Sequence, residues 1–276
     1  MENIKYKMVI TDLDGTLLNN NREVSLNDMK SLYWLGDNEV IRVIATGRNF
    51  YSTTKVLKSN FPIDYLIFSS GAGIFDWKKQ RLLYSQELPK SEVESIVRVL
   101  TENNVDFMIH EPVPNNHQFI YSKNNHNNPD FDRRINVYKE FATEYNSYSQ
   151  CNSASQLLVV FPNDIDLFNQ LKNQFSNIKI IRTTSPLDGD SIWMEIFPKT
   201  VSKGQGIDWL CNRLNIKQTE TISVGNDYND IDMLEYTAEK YVVSNAPKDL
   251  KERFPVCKSN QNNGFTSAVD LFFDFM

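Results

Sequence analysis

The 276 residues carry 29 Lys and Arg against 35 Asp and Glu, for a formal net charge of −6; 41% are hydrophobic and 23% charged. This is the make-up of a globular chain long enough to bury one large core or two modest ones. The acidic balance argues against a general nucleic-acid or anionic-membrane binder, and no apolar run approaches the ~20 residues of a membrane span. Cys151, Cys211 and Cys257 are widely spaced and odd in number and match no disulfide framework or zinc pattern, so they read as buried free thiols in a reducing compartment. The opening MENIKYKMVITD lacks the pattern of a signal peptide, and a cytoplasmic location is expected.

Strand and helix signals alternate from the start. KMVIT is a short β-branched run that ends at Asp12. In SLNDMKSLYWL, Leu26, Met29, Leu32 and Tyr33 share one helical face, and Ser25 with Asp28 resembles a capping box. VIRVIATG is a second strand ending at Thr46, and DYLIFSSG a third. Strands spaced by helices imply crossover units and a parallel sheet.

From about Leu82 the character changes. SEVESIVRVL reads as a helix capped through Ser91 and Glu94, while VDFMIHE and HQFIYSK read as strands. The polar NNHNNPDFDRR reads as an excursion, followed by QLLVVF, the helix DIDLFNQLKNQF, IKIIRTT and SIWMEIF. The α/β rhythm returns after Pro198 with the helix SKGQGIDWLCNRL and the strands TISVGND and YVVSNA. The expected architecture is α/β: a Rossmann-like parallel-sheet core, residues 1–82 and 198–276, with an inserted α+β domain at 83–197.

Ligands of open parallel sheets bind at the carboxyl ends of the strands. Asp12 and Asp14, Thr46, and GNDYND at 225–230 all fall at such ends, and Lys203 opens a helix. Two carboxylates as close as Asp12 and Asp14 repel each other unless something cationic sits between them. Each motif alone has a plain reading: Asp-Gly and Thr46-Gly47 as turns, Lys203 as a solvated lysine. Arg48 reads equally as a ligand-binding residue, a contact of the insert or a surface residue. His110, His117 and His126 show no ligand-like partners, which disfavours a histidine metal site or a Ser-His-Asp triad. The glycines of GAG at 71–73 lack the full dinucleotide fingerprint and read as loop residues.

Taken together, DLDGT at 12–16, Thr46 in ATGR, Lys203 in VSKG and GNDYND resemble, in order, the four motifs of the haloacid dehalogenase superfamily. The long insertion resembles the type-two cap of its Cof-like sugar-phosphatase branch, so the resemblance spans essentially the whole chain. It implies a Mg²⁺-dependent phosphatase of small phosphorylated metabolites, sugar phosphates foremost, acting through an aspartyl phosphate. By the family pattern Asp12 would be the nucleophile and Asp14 the general acid and base. Thr46, Gly47, Lys203 and Asn229 would bind phosphate. Asp12, Asp14 and Asn226 would ligate Mg²⁺, with Asp227 and Asp230 around them. One departure stands out: the last motif usually begins Gly-Asp and here begins Gly225-Asn226. The cap would select the substrate, and its Asp188, Asp190 and Glu195 are candidates to bind sugar hydroxyls. A phosphomutase of the same fold and a catalytically weak phosphosugar-binding regulator are the alternatives. The expected partners are a small phosphorylated metabolite, no nucleic acid and no membrane, in a monomer or small homo-oligomer.

Overall fold

The computed structural model describes residues 5–124, 127–162, 164–185, 189 and 191–273. His126, Asp188 and Asp190 lie outside the described residues. The chain forms two compact units, one of Met1–Arg48, Thr53–Tyr84 and Ser202–Met276, the other of Asn49–Ser52 and Ser85–Val201. Residues 49–52 join the inserted unit because Tyr51 stacks on His117 with ring centroids 4.6 Å apart.

The first unit is built on an eight-stranded sheet. Its strands are β1 (Met8–Thr11), β2 (Ile41–Ala45), β3 (Tyr65–Phe68), β4 (Gly73–Asp76), β5 (Arg81–Ser85), β12 (Thr221–Gly225), β13 (Glu239–Val243) and β14 (Val256–Cys257), in the order β14-β13-β12-β1-β2-β3-β4-β5. From β14 to β3 every pairing is parallel, and β4 runs antiparallel to β3. The β4–β5 pair was not anticipated from the sequence, although GIFD and RLLYS flank a polar WKKQ as hairpin strands do. Helices α1 (Leu26–Asp37), α6 (Lys203–Leu214), α7 (Ile231–Tyr236), α8 (Lys248–Arg253) and α9 (Gly264–Val269) complete this unit, while α2 (Phe50–Thr54) begins in the segment that joins the inserted one.

Helix α1 is where the sequence expected it, but it is turned. Leu26 is 83% exposed and Tyr33 54%, while Asp28, Ser31, Leu32 and Leu35 are buried. The reason is polar: Asp28 Oδ1 accepts from the Thr266 N–H at 2.9 Å and the Thr266 hydroxyl at 2.8 Å, which draws that face onto α9. Helix α6 lies where the sequence placed it and buries Ile207, Leu210 and Cys211 against β1 and β2 residues such as Met8, Ile10 and Val43. Cys151 and Cys211 are buried free thiols; Cys257 is only half-buried, because β14 is a two-residue strand at the sheet edge.

The inserted unit carries β6 (Phe107–His110), β7 (Phe119–Ser122), β8 (Ala142–Glu144), β9 (Gln156–Phe161), β10 (Ile178–Thr184) and β11 (Ile192–Pro198) in a sheet ordered β10-β11-β9-β6-β7-β8. Its helices are α3 (Lys90–Glu102), α4 (Pro129–Val137) and α5 (Ile165–Lys172). Helix α3 buries Val93, Ile96, Val97 and Leu100 but starts at Lys90 with no side-chain cap, so Ser91 lies inside it. The polar stretch read as an excursion contains α4, because Asn128 caps the Phe131 N–H and Pro129 sits at the first helical position. Among the described residues no helix is long and apolar enough to cross a membrane.

His110 is buried at the end of β6, with Nδ1 2.8 Å from the Asn116 carbonyl, which therefore holds the hydrogen on Nδ1. Burial, helped by the charge of Arg134, pushes its pKa from 6.5 down to about 3. The unfolded chain then binds a proton that the folded one refuses, so stability is lost as pH falls below the unfolded value near 6.5 and flattens near 3. Urea denaturation between pH 7 and 5 should show His110→Gln losing less stability than the parent, by up to about 1.4 kcal/mol per pH unit.

Candidate active site

Residues from four distant stretches meet where β1, β2 and β12 end. Asp12 follows β1 and its N–H donates to the Val224 carbonyl of β12 at 2.9 Å, so the parallel pairing itself fixes its position. Lys203 is the first residue of α6, whose N-cap Ser202 accepts from the Gln205 N–H. The start of α6 comes close because Gly71 (φ +108°) has no Cβ; one added there would stand 2.3 Å from the Ser202 carbonyl oxygen.

The Lys203 side chain is fully buried, and its Nζ donates to Asp12 Oδ1 at 2.7 Å and to Asp230 Oδ1 at 2.6 Å. Asp230 Oδ2 in turn accepts the N–H groups of Asn226 at 2.7 Å and Asp227 at 3.1 Å, tying the loop after β12 to the same lysine. Burial alone would lower the Lys203 pKa, but the Asp12 and Asp230 carboxylates hold it above its usual value. Burial, with the charges of Asp230 and Asp14 adding to it, pushes Asp12 up to about 7 although Lys203 pulls the other way. Two carboxylates share one ammonium, so the site is short of positive charge.

Thr46 Oγ1 accepts from the Arg48 N–H at 3.1 Å, which leaves its hydroxyl hydrogen for another acceptor. A Cβ on Gly47 would lie 3.2 Å from the Asn229 amide and 3.6 Å from Ser70 Oγ, so these three residues adjoin. The Ser70 and Ser69 N–H groups donate to the carbonyls of Thr46 and Arg48, joining the turns after β2 and β3. Both serines are left-handed, φ 49° and 53°, a strained pair of the kind that clusters at functional sites. Asp227 Oδ1 caps the Tyr228 N–H at 2.8 Å, so Asp227 shapes the loop after β12. Arg48, left open by the sequence, grips Asp14 at two points, Nε and a terminal nitrogen each 2.6 Å from a carboxylate oxygen.

A family model described as haloacid dehalogenase-like hydrolase matches residues 9–269. The chain belongs to the haloacid dehalogenase-like hydrolases. It is 28% identical over 275 residues to a putative phosphatase of Buchnera aphidicola subsp. Baizongia pistaciae, covering 96% of each chain. It is 24% identical to a 5-amino-6-(5-phospho-D-ribitylamino)uracil phosphatase of Bacillus subtilis, covering 96% of this chain and 97% of the relative. Its fold matches the solved structure of a haloacid dehalogenase subclass IIB sugar phosphatase with a TM-score of 0.77 at 20% identity, over 96% and 98% of the two chains.

For a haloacid dehalogenase-like hydrolase, a cation between Asp12 and Asp14 is the question the charge deficit raises. Among the described residues no three Asp, Glu, His or Cys side chains converge on a metal position. A mixed set does converge. One end of the Asn226 amide lies 3.1 Å from Asp12 Oδ2 and 3.2 Å from the Asp14 carbonyl oxygen. Oxygens about 3 Å apart are what an octahedral ion with ~2.1 Å bonds asks of adjacent ligands. Lys203 occupies only Oδ1 of Asp12, leaving Oδ2 for this cluster. The donors are hard oxygens and fit Mg²⁺.

The contact that sequence reasoning missed is Arg48 on Asp14; its only signal was a guanidinium two residues beyond Thr46. The Lys203–Asp230 pair is the structural keystone. Asp230→Ala should cost about 1–3 kcal/mol in urea denaturation, because it strips the Asn226 and Asp227 N–H groups of their acceptor and leaves Lys203 with Asp12 as its one carboxylate. Asp232→Ala, whose side chain is half-buried on α7, serves as the comparison.

Proposed function

We propose that the protein is a Mg²⁺-dependent phosphatase of small phosphorylated metabolites, with Asp12 as the nucleophile. The observation that carries this reading is a buried carboxylate at the end of a central strand, held by one buried ammonium. In the first step an Asp12 oxygen bonds to phosphorus as the bond from phosphorus to the leaving alcohol breaks. Asp14, protonated, gives its proton to that departing oxygen. In the second step Asp14 takes a proton from water as the water oxygen attacks phosphorus, releasing phosphate and restoring Asp12.

Lys203 orients Asp12 and places positive charge beside the transferring group, and the Thr46 hydroxyl donates to it. Gly47 and Asn229 line the same edge. To reach the departing oxygen, Asp14 leaves its two-point contact with Arg48 during turnover. Asp12, the Asp14 carbonyl and Asn226 would hold Mg²⁺, with Asp227 and Asp230 bracing the loop that carries Asn226. When bound, the ion supplies the missing positive charge and screens the dianionic substrate from its negative attacker.

We assign the chemistry to the core unit, residues 1–82 and 198–276 in the sequence reading, and the choice of substrate to the inserted residues 83–197. The relatives support a phosphorylated polyol or sugar: one is named for a phosphoribityl compound, and the subclass IIB neighbour is a sugar phosphatase. Phosphate release from a panel of phosphorylated metabolites, with Mg²⁺ and with chelator, tests the reading. Release should need the metal, and Asp12→Asn should reduce it by at least about 10³-fold. Release that survives Asp12→Asn or chelation would refute it.

A further inference from the structure

The Asn226 amide stands inside the cation site proposed above, and its surroundings are lopsided. The three atoms at one end of it are Asp12 Oδ2 at 3.1 Å, the Asp14 carbonyl oxygen at 3.2 Å and Thr16 Oγ1 at 3.2 Å. The Asp14 carbonyl only accepts hydrogen bonds, as does Oδ2 of the ionised Asp12, so in the absence of a cation the NH₂ group belongs at that end, donating to both. With a cation present the requirement reverses, since an NH₂ hydrogen aimed at a metal is repelled and Oδ1 is a hard ligand. Thr16 serves either orientation, because its hydroxyl accepts from Nδ2 or donates to Oδ1 at the same 3.2 Å.

We propose that Asn226 is a reversible plug: NH₂ faces Asp12 and the Asp14 carbonyl when the site is empty, and the amide turns over to present Oδ1 when Mg²⁺ enters. This inference rests on the cation site of the preceding reading. Its surroundings suit a half-turn of the amide alone. The Asn226 backbone is anchored, its N–H donating to Asp230 Oδ2 at 2.7 Å. Gly15 (φ +73°) leaves the adjoining space clear, since a Cβ there would come within 2.6 Å of the amide. An aspartate could not play both parts. Its carboxylate would bind the cation better but, without one, would face Asp12 Oδ2 and a carbonyl with no donor to offer.

The test is Mg²⁺ titration by calorimetry, with melting temperatures in chelator and in Mg²⁺, for the full chain and for Asn226→Asp and Asn226→Ala. Asn226→Asp should bind Mg²⁺ at least about tenfold more tightly, because ligand charge sets the affinity of hard-cation sites. It should also melt below the parent in chelator and recover in Mg²⁺. Asn226→Ala should melt lower in chelator and bind Mg²⁺ more weakly than the parent. In the parent, the ¹⁵N side-chain amide signal of Asn226 should shift on adding Mg²⁺, a readout that needs no variant to fold. An unmoved amide signal, equal Mg²⁺ affinities, or an Asn226→Asp protein as stable as the parent in chelator would overturn the proposal, as would the absence of Mg²⁺ binding by the parent. Phosphate release is scored separately, so Mg²⁺ binding with the predicted affinity order but no turnover would refute the phosphatase reading and leave the plug standing.

Discussion

One buried ammonium organises the core unit. Lys203 Nζ sits between Asp12 and Asp230 with no exposed surface, and each partner is tied onward, Asp12 to β12 through its N–H and Asp230 to the loop after β12. In so dry a place an unpaired charge is far more costly than a surface one, so the three residues are kept together or not at all. This is why a helix start, a strand end and a loop from distant parts of the chain converge within hydrogen-bonding distance. The demand reaches into the backbone, where Gly71 must lack a side chain for α6 to approach. The same arrangement leaves Asp12 incompletely neutralised, which suits the role of nucleophile proposed for it, its counter-charge arriving only when the site is filled.

Around that pair, the turns after β2 and β3 do a second job. The left-handed serines 69 and 70 reach back to the Thr46 and Arg48 carbonyls, making one rigid rim from two loops. The Arg48 side chain leaves this rim to take Asp14 at two points. The proposed acid and base is therefore held, until that contact opens, by the loop that also carries the proposed phosphate-binding residues.

The strand ends were legible because an apolar run that stops abruptly in polar residues is a local signal, as at Ile10–Asp12 and Val224–Asn226. What escaped the sequence depends on partners far along the chain. The rotation of α1 is set by Asp28 meeting Thr266, 238 residues away, and no periodicity within the helix encodes that. Helix α4 was hidden by polar neighbours, although Asn128-Pro129 is a start signal in its own right. Arg48 could not be placed because its partner, Asp14, lies 34 residues earlier and only the β1–β2 pairing brings them side by side.

The position of β1 has a consequence for how the molecule comes into being. The strand lies in the middle of the sheet, flanked by β2 on one edge and β12 on the other. Met8 pairs with Ile41 and also with Thr221. During synthesis one edge is covered early, while the other stays bare until more than two hundred further residues have left the ribosome. The inserted unit is complete in sequence by Val201, before that partner exists. A nascent chain thus carries an unpaired, apolar strand edge through most of its translation, the kind of surface that invites wrong pairings. Closure of the sheet by β12 is then the same event that brings Asp230 to Lys203, so the chain gains its chemistry at the moment it loses its stickiest edge.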